Sequence, residues 1–152
     1  MNPFDLSNKV ICVTGASSGI GRQCAVSCSR MGATVVLLAR NEQRLHETLS
    51  IMDNPDKHVI IPVDLTEYAT VELVVKNIVS QVGRISGVLH CAGISTTLPL
   101  KLVTPEKLAE FFQANVFSAY NLTREVCKMG NFSKEGGSIV FFSSVMGKVG
   151  EK

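Results

Sequence analysis

Five short runs of apolar, largely β-branched residues recur along the 152-residue chain, with a segment of helical periodicity between each run and the next. The runs are 9–14 (KVICVT), 34–39 (TVVLLA), 58–63 (HVIIPV), 87–91 (GVLHC) and 138–143 (SIVFFS). Apolar residues occupy consecutive positions in each run, which is typical of strands that are covered on both faces. The pattern predicts an α/β fold: a doubly wound, Rossmann-like parallel sheet with strand order 3-2-1-4-5 and right-handed crossovers.

The segments between the runs predict amphipathic crossover helices. In the second gap, Leu45, Leu49 and Met52 recur at i, i+4 and i+7, and an apolar stripe runs through 71–82 in the third. Before the last run, Thr104 followed by proline predicts the start of a longer helix that continues to about Cys127. Because the chain has no repeat, low-complexity tract or linker, we expect residues 1–152 to form one dinucleotide-binding domain.

Composition and charge exclude several classes of protein. The formal net charge of +2 and the absence of a basic cluster argue against nucleic-acid and membrane partners. No basic segment followed by an apolar stretch opens the chain, so a secreted protein is not expected. The five cysteines include no C-x-x-C pair, and no histidine stands at a matching spacing to Cys24 and Cys28, so no metal site is predicted. These features predict a protein of the reducing cytoplasm.

The first signal of chemistry is VTGASSGIGR at 13–22, where three glycines follow the first strand and open a helix. Exposed amides at a helix N-terminus, with the helix dipole behind them, bind the pyrophosphate of a nucleotide. The spacing G-x-x-x-G-x-G matches neither G-x-G-x-x-G nor a P-loop, and the lysine that a P-loop hydrolase requires is absent after Gly21. The position at the first βα turn still favours nucleotide binding over a purely structural turn.

The second signal is Arg40, which follows the second strand. This strand end is where the adenosine ribose lies in a dinucleotide fold, and an acidic residue there would bind a free 2′-hydroxyl. Here Ala39 leaves space and Arg40 offers a charge-assisted contact to phosphate, so NADP(H) is favoured over NAD(H). An arginine at a strand end that is merely solvated remains the alternative.

Five motifs stand in a fixed order: TGASSGIG at 14–21, DLT at 64–66, CAG at 91–93, Asn115 within QANVFSAYN, and GSIVFFSSVMG at 137–147. In order and spacing they resemble the short-chain dehydrogenases/reductases, most closely the single-domain branch that includes the 3-oxoacyl-carrier-protein reductases. The resemblance covers essentially the whole chain. It implies an oxidoreductase that transfers hydride between nicotinamide and a small-molecule carbonyl or alcohol.

The resemblance also implies the residues that bind the cofactor. Those of the glycine turn are Gly15, Gly19, Ile20 and Gly21, with Ser17 and Ser18 facing the adenosine phosphate. Asp64 accepts from the adenine amino group with the backbone of Leu65 beside it, and the ribose and nicotinamide pass over Ala92 and Gly93. From the residues alone, Asp64 would be a turn residue or a helix cap.

The chain departs from the family pattern at the fourth strand. Where the family commonly has Asn-Asn-Ala-Gly, this chain has His90 and Cys91 before Ala92 and Gly93. The amide side chains that tie this strand to its neighbours are therefore absent. We expect His90 to replace them with a structural hydrogen bond.

For catalysis the resemblance implies Ser144 and Asn115. Ser144 would hold and polarise the substrate carbonyl, and no G-x-S-x-G elbow makes it a nucleophile. Asn115 falls on an apolar stripe that predicts the inward face of the longer helix, with Leu108, Phe112, Leu122 and Val126. Its side chain either closes a distortion of that helix, or, as the resemblance implies, holds a water of the proton relay, or does both. The family takes its proton from Tyr-x-x-x-Lys, whereas Tyr68 and Tyr120 are followed four residues later by Glu and Arg.

Two interpretations follow. In the first, the chain is the N-terminal part of a reductase of roughly 240 to 270 residues and lacks the family's C-terminal strands and helices. In the second, it is a non-catalytic dinucleotide-binding sensor or interaction module. The apolar run 138–143 would lie at the sheet edge without further strands, which favours the first interpretation. At full length the family resemblance implies a homo-oligomer that packs through the helix carrying Asn115.

Overall fold

The computed structural model describes residues 4–149, and at its centre lies a parallel sheet of five strands. The strands are β1 (Val10–Thr14), β2 (Thr34–Ala39), β3 (Val59–Pro62), β4 (Gly87–His90) and β5 (Ser138–Phe141). Every neighbouring pair is parallel and the order is β3-β2-β1-β4-β5, which confirms the predicted fold and strand order. The five strands fall within the five predicted runs.

Helices cover both faces of the sheet. They are α1 (Gly19–Arg30), α2 (Glu42–Ser50), α3 (Tyr68–Val82), α4 (Pro105–Phe112) and α5 (Ser118–Val126). Cys12 of β1 packs with α3 and α5, whereas Ile11 and Val13 pack with α1 and α2 on the other face. Since successive side chains of a strand point to opposite faces, the consecutive apolar positions of β1 serve two separate cores. None of the helices in residues 4–149 is long and apolar enough to cross a membrane.

The predicted long helix consists of three consecutive segments, which are α4, a π-helical turn and α5. As predicted, the Thr104 side chain caps its start, accepting from the Lys107 amide at 3.2 Å. Between α4 and α5 lies a π-helical turn, Gln113–Phe117, and Ser118 Oγ donates to the Ala114 carbonyl at 2.6 Å. A π turn contains an additional residue, so it rotates the faces of α4 and α5 relative to one another.

The expectation of one inward stripe along this helix is therefore wrong in its first half. Leu122 and Val126 of α5 are fully buried, whereas Leu108 and Phe112 of α4 are about half exposed. Asn115 is also exposed, and within residues 4–149 its side-chain hydrogen bonds go to Ile94 and not to the backbone of its own helix. Its Oδ1 accepts from the Ile94 amide at 2.7 Å and its Nδ2 donates to the Ile94 carbonyl at 2.9 Å. The expected helix distortion is present, but the Asn115 side chain does not close it and instead holds the segment that follows β4.

His90 connects β4 to its surroundings. Its Nε2 lies 2.9 Å from Thr123 Oγ1 on α5, and its ring stacks on Phe141 of β5 with a centroid separation of 4.6 Å. The hydrogen bond expected of His90 is made, although it reaches a helix and not a strand. Burial lowers the pKa of His90 to about 4, so the ring is neutral at pH 7.

This neutral buried histidine predicts acid sensitivity. Between pH 6.5 and about 4 the unfolded chain binds a proton at His90 that the folded chain does not, so the free energy of unfolding falls as the pH falls through this window. Each such group contributes a slope of at most about 1.4 kcal/mol per pH unit. Burial also lowers the pKa of His58, which adds to the slope in the same direction.

Urea unfolding of wild type and His90→Gln at several pH values from 4 to 7 measures this slope. Glutamine can still bond Thr123 but does not titrate, so the variant should lose part of the slope and keep the part due to His58. The same substitution at the exposed His46 is the matched control. An equal effect of both substitutions would contradict the assignment.

A second prediction concerns Asn115. Asn115→Leu removes both hydrogen bonds to Ile94, and because the pair is exposed the free energy of unfolding should fall by only about 0.5–1.5 kcal/mol. The Ile94 amide should exchange with solvent faster in hydrogen-exchange NMR. Asn115→Asp keeps the acceptor and should keep that amide protected. Unchanged protection in the leucine variant would show that Asn115 does not hold this segment.

Candidate functional site

A cavity of about 950 Å³ opens at the carboxyl edge of the sheet. Its walls come from the β1–α1 turn, the end of β2, the turn after β3 and the segment after β4. All of the predicted cofactor residues line it: Gly15, Ser17, Ser18, Gly19, Ile20, Gly21, Arg40, Asp64, Leu65, Ala92 and Gly93. Parallel strands bring their carboxyl ends to one edge, which is why residues so far apart in sequence share one cavity.

The floor of the cavity is a close approach of two backbones. Gly15 has φ +65°, and a Cβ there would lie 2.9 Å from the Ala92 Cα. A Cβ on Gly21 would in turn meet the Gly15 carbonyl. Glycine is therefore required at both positions. At Gly15 both the positive φ and the close backbone require it, and at Gly21 the close backbone alone does.

Thr14 is a part of this floor to which sequence reasoning gave no role. It is buried, and its Oγ1 accepts from the Ala92 amide at 3.0 Å and donates to the Leu89 carbonyl at 3.5 Å. The hydroxyl thereby fixes the segment after β4 to the end of β1. The one sequence signal was a polar residue that ends an otherwise apolar strand.

Asp64 forms a turn after β3. Its Oδ1 accepts from the Thr66 amide at 2.9 Å and from Thr66 Oγ1 at 2.7 Å. These hydrogen bonds, with a smaller contribution from the Arg40 charge, lower the pKa of Asp64 below its ordinary value. The turn role expected from the residues alone is therefore present, and Oδ2 remains directed toward Arg40 at 4.0 Å.

The rim beside β2 is positively charged. The Arg40 side chain is 73% exposed, and Arg44, which sequence reasoning missed, lines the cavity from the first turn of α2. The Asn41 side chain caps that helix, accepting from the Arg44 amide at 2.9 Å. Within residues 4–149, Arg44 has no ion pair, and Glu110 on the far wall is paired with Lys107 at 2.7 Å. An anion at this rim would meet two cations.

The two predicted catalytic residues lie outside the cavity lining. Asn115 is adjacent to it, because a Cβ on Gly93 would lie 3.1 Å from Asn115 Oδ1. Ser144 follows β5, which pairs with β4 so that Phe141 lies beside His90. Both residues thus flank the segment after β4 at the same edge of the sheet.

Ser144 has a hydroxyl proton available for donation. Its Oγ accepts from the Met146 amide at 3.1 Å and caps a 3₁₀ turn, Val145–Gly147. Within the described part of the chain, the hydroxyl donates to no protein acceptor. Gln113, a further residue that sequence reasoning missed, lines the cavity and donates from Nε2 to the Thr66 carbonyl at 3.2 Å.

Known proteins resemble this chain over most of its length. YciK, an uncharacterized oxidoreductase of Escherichia coli K12, is 33% identical over 151 residues, which cover 95% of this chain and 59% of that protein. A short chain dehydrogenase from Salmonella enterica serovar Typhi superposes with a TM-score of 0.85 at 35% identity, covering 96% of this chain and 62% of the other. A variant of actinorhodin polyketide ketoreductase, solved with NADPH, superposes with a TM-score of 0.86 at 27% identity, covering 94% and 56%.

The chain spans less than two thirds of each of these three proteins. A family model described as short chain dehydrogenase matches residues 9–152. This match, the sheet order and the solved structures agree with one another, and the chain belongs to the short-chain dehydrogenase/reductase family of oxidoreductases.

Proposed function

We propose that this chain forms the NADP(H)-binding part of an oxidoreductase that interconverts a small-molecule carbonyl and its alcohol. The observation that carries the proposal is the cavity, in which the glycine turn, a cationic rim and the segment after β4 meet at the carboxyl edge of the sheet. The ketoreductase solved with NADPH supports the same cofactor.

The residues present suit a phosphorylated dinucleotide. Gly15 and Gly21 allow the turn to lie directly against neighbouring backbone, and Gly19 leaves open space where a side chain would stand, so a ligand can approach the backbone closely. The small Ala39 ends β2 where an acidic residue would repel a 2′-phosphate, and Arg40 and Arg44 supply positive charge beside it. Ser17 and Ser18 face the adenosine phosphate, Asp64 and Leu65 bind the adenine, and Ala92 and Gly93 support the ribose and nicotinamide.

Ser144 and Asn115 are the proposed catalytic residues. When bound, the nicotinamide gives or accepts the hydride. The free proton of the Ser144 hydroxyl would bond the carbonyl oxygen of the substrate and stabilise negative charge as it develops there. Asn115 would act in the proton relay, in addition to holding Ile94.

The alkoxide also needs an acid, and the sequence contains no Tyr-x-x-x-Lys pair. We therefore propose that this chain alone binds cofactor without turnover, and that the reductase is completed by residues beyond this sequence. The alternative, a non-catalytic dinucleotide-binding module, would also lack this pair, but the apolar β5 at the edge of the sheet favours the first interpretation.

The exposed face of the α4–α5 helix suits a second subunit. It carries five large apolar side chains, namely Leu108, Phe112, Val116, Phe117 and Tyr120. Monomers rarely leave an apolar surface of this kind open, so the homo-oligomer is proposed to form here at full length. We likewise propose a cytoplasmic location, where the described cysteines would remain free thiols.

Arg40 provides the test of cofactor preference. Arg40→Asp removes a cation and introduces a repulsive charge, so NADPH affinity measured by calorimetry should fall about 10- to 100-fold. Affinity for NADH, which has no 2′-phosphate, should not fall. Arg84→Asp makes the same charge change just before β4, at the amino end of the sheet, and should leave both affinities unchanged. Equal losses for the two cofactors would contradict the role of Arg40.

Turnover provides the test of the missing acid. With NADPH and a simple ketone, the 152-residue chain should bind cofactor in calorimetry and show no sustained NADPH oxidation. Sustained oxidation that Ser144→Ala abolishes would show that the Tyr and Lys are not needed. Absence of NADPH binding would contradict the proposed function itself.

A further inference from the structure

Arg22, the residue after the glycine turn, is engaged with the turn and with α2 at once. Its Nη2 donates to the Ser17 carbonyl at 2.7 Å and also to Glu47 Oε2 at 3.1 Å. Its Nε donates to Thr48 Oγ1 at 3.0 Å. One guanidinium thus connects the backbone of the turn to two neighbouring side chains of α2.

Thr48 makes a second connection to the same turn. It is fully buried, and its Oγ1 lies 2.9 Å from the Ala16 carbonyl and 3.1 Å from the Arg44 carbonyl. A hydroxyl has a single proton, and the shorter of the two contacts is the one to Ala16. Two consecutive carbonyls of the glycine turn, those of Ala16 and Ser17, are therefore held toward α2.

The orientation of these carbonyls determines the orientation of two amides. In a trans peptide the C=O of one residue and the N–H of the next point in opposite directions, and the described chain has no cis peptide. The amides of Ser17 and Ser18 are consequently directed away from α2. Both residues line the cavity, and within residues 4–149 neither amide donates to a protein acceptor.

We propose that Arg22 and Thr48 are positioning residues, which hold the glycine turn so that the Ser17 and Ser18 amides donate to a phosphate group of the ligand. This inference rests on the proposed function and adds to it the two residues that orient the turn for phosphate binding. Unpaired amides held in place need no reorganisation when the anion arrives.

These contacts do more than hold α1 against α2. The Arg22–Glu47 ion pair is partly exposed and would itself contribute little to stability. Two of the other contacts end on backbone carbonyls of the turn, one from the buried Thr48 hydroxyl and one from the Arg22 guanidinium. Contacts that only held α1 against α2 would not need to reach the carbonyls of Ala16 and Ser17.

The test compares ligands with and without phosphate. Thr48→Val removes the hydroxyl and keeps the shape, Thr48→Ser restores it, and Arg22→Met removes the guanidinium at a partly exposed position. Affinities for NADPH, adenosine 2′,5′-bisphosphate and adenosine are measured by calorimetry or NMR titration. We expect the valine and methionine variants to bind the two phosphate ligands about 10-fold more weakly and adenosine as before. The serine variant should bind all three like the wild type.

A merely structural role predicts a different result. Equal losses for adenosine and for the phosphate ligands, or failure of serine to restore binding, would overturn the proposal. Thermal unfolding of each variant shows which remain folded, and Arg22→Met serves as the test if Thr48→Val does not fold.

A second measurement separates this inference from the proposed function. In an NMR titration with inorganic pyrophosphate, the Ser17 and Ser18 amide resonances should shift in the wild type and not in Thr48→Val. Such shifts without NADPH binding would contradict the proposed function and still support the positioning role. NADPH binding without movement of these two resonances would overturn the positioning role and leave the function standing.

Discussion

The site depends on the contact between the backbone of the glycine turn and the backbone that leaves β4. Gly15 lies against Ala92 with no space for a Cβ between them, and Gly21 lies against the carbonyl of Gly15. The Thr14 hydroxyl accepts from the Ala92 amide across the same gap. A side chain at Gly15 would separate the end of β1 from the segment after β4, and one at Gly21 would displace the first turn of α1 from the floor of the cavity.

Three of the four segments that enclose the cavity are each held by a hydrogen bond from a helical side chain. Thr48 of α2 holds the glycine turn, Gln113 holds the turn after β3, and Asn115 holds the segment after β4. The rigid part of the molecule is the pair of cores on the two faces of the sheet. The glycine turn is thereby attached to a residue of α2 that is itself buried, whereas Gln113 and Asn115 lie on the π turn, which has no buried residue. The hydrogen bond from Thr48 therefore limits movement of its wall the most.

The sequence was sufficient for the sheet because its signals are local, and the family resemblance supplied most of the cofactor residues that line the cavity. Consecutive apolar positions marked the five strands, and residues at the ends of those strands had to meet at one edge. The π turn had no comparable signal, since its composition is that of an ordinary helix. The prediction that Leu108 and Phe112 of α4 face the core was therefore wrong. The roles of Thr14 and Thr48 depend on partners that lie 78 and 32 residues away in sequence, and no pattern within one segment reveals such pairs.

Two arginines at this edge show how the environment of one residue type sets its role. Arg22 makes hydrogen bonds to a carbonyl, a hydroxyl and a carboxylate, so most of its donor capacity is used by the protein. Arg40 has, within residues 4–149, only a 4.0 Å ionic contact to Asp64, and that carboxylate is already bonded by Thr66. A guanidinium with satisfied donors orders the protein, whereas an exposed one with free donors can gain free energy by pairing with an incoming phosphate. The presence of an arginine alone therefore does not mark a phosphate site. The guanidinium N–H groups that the protein leaves unpaired indicate where a phosphate of the ligand would bind.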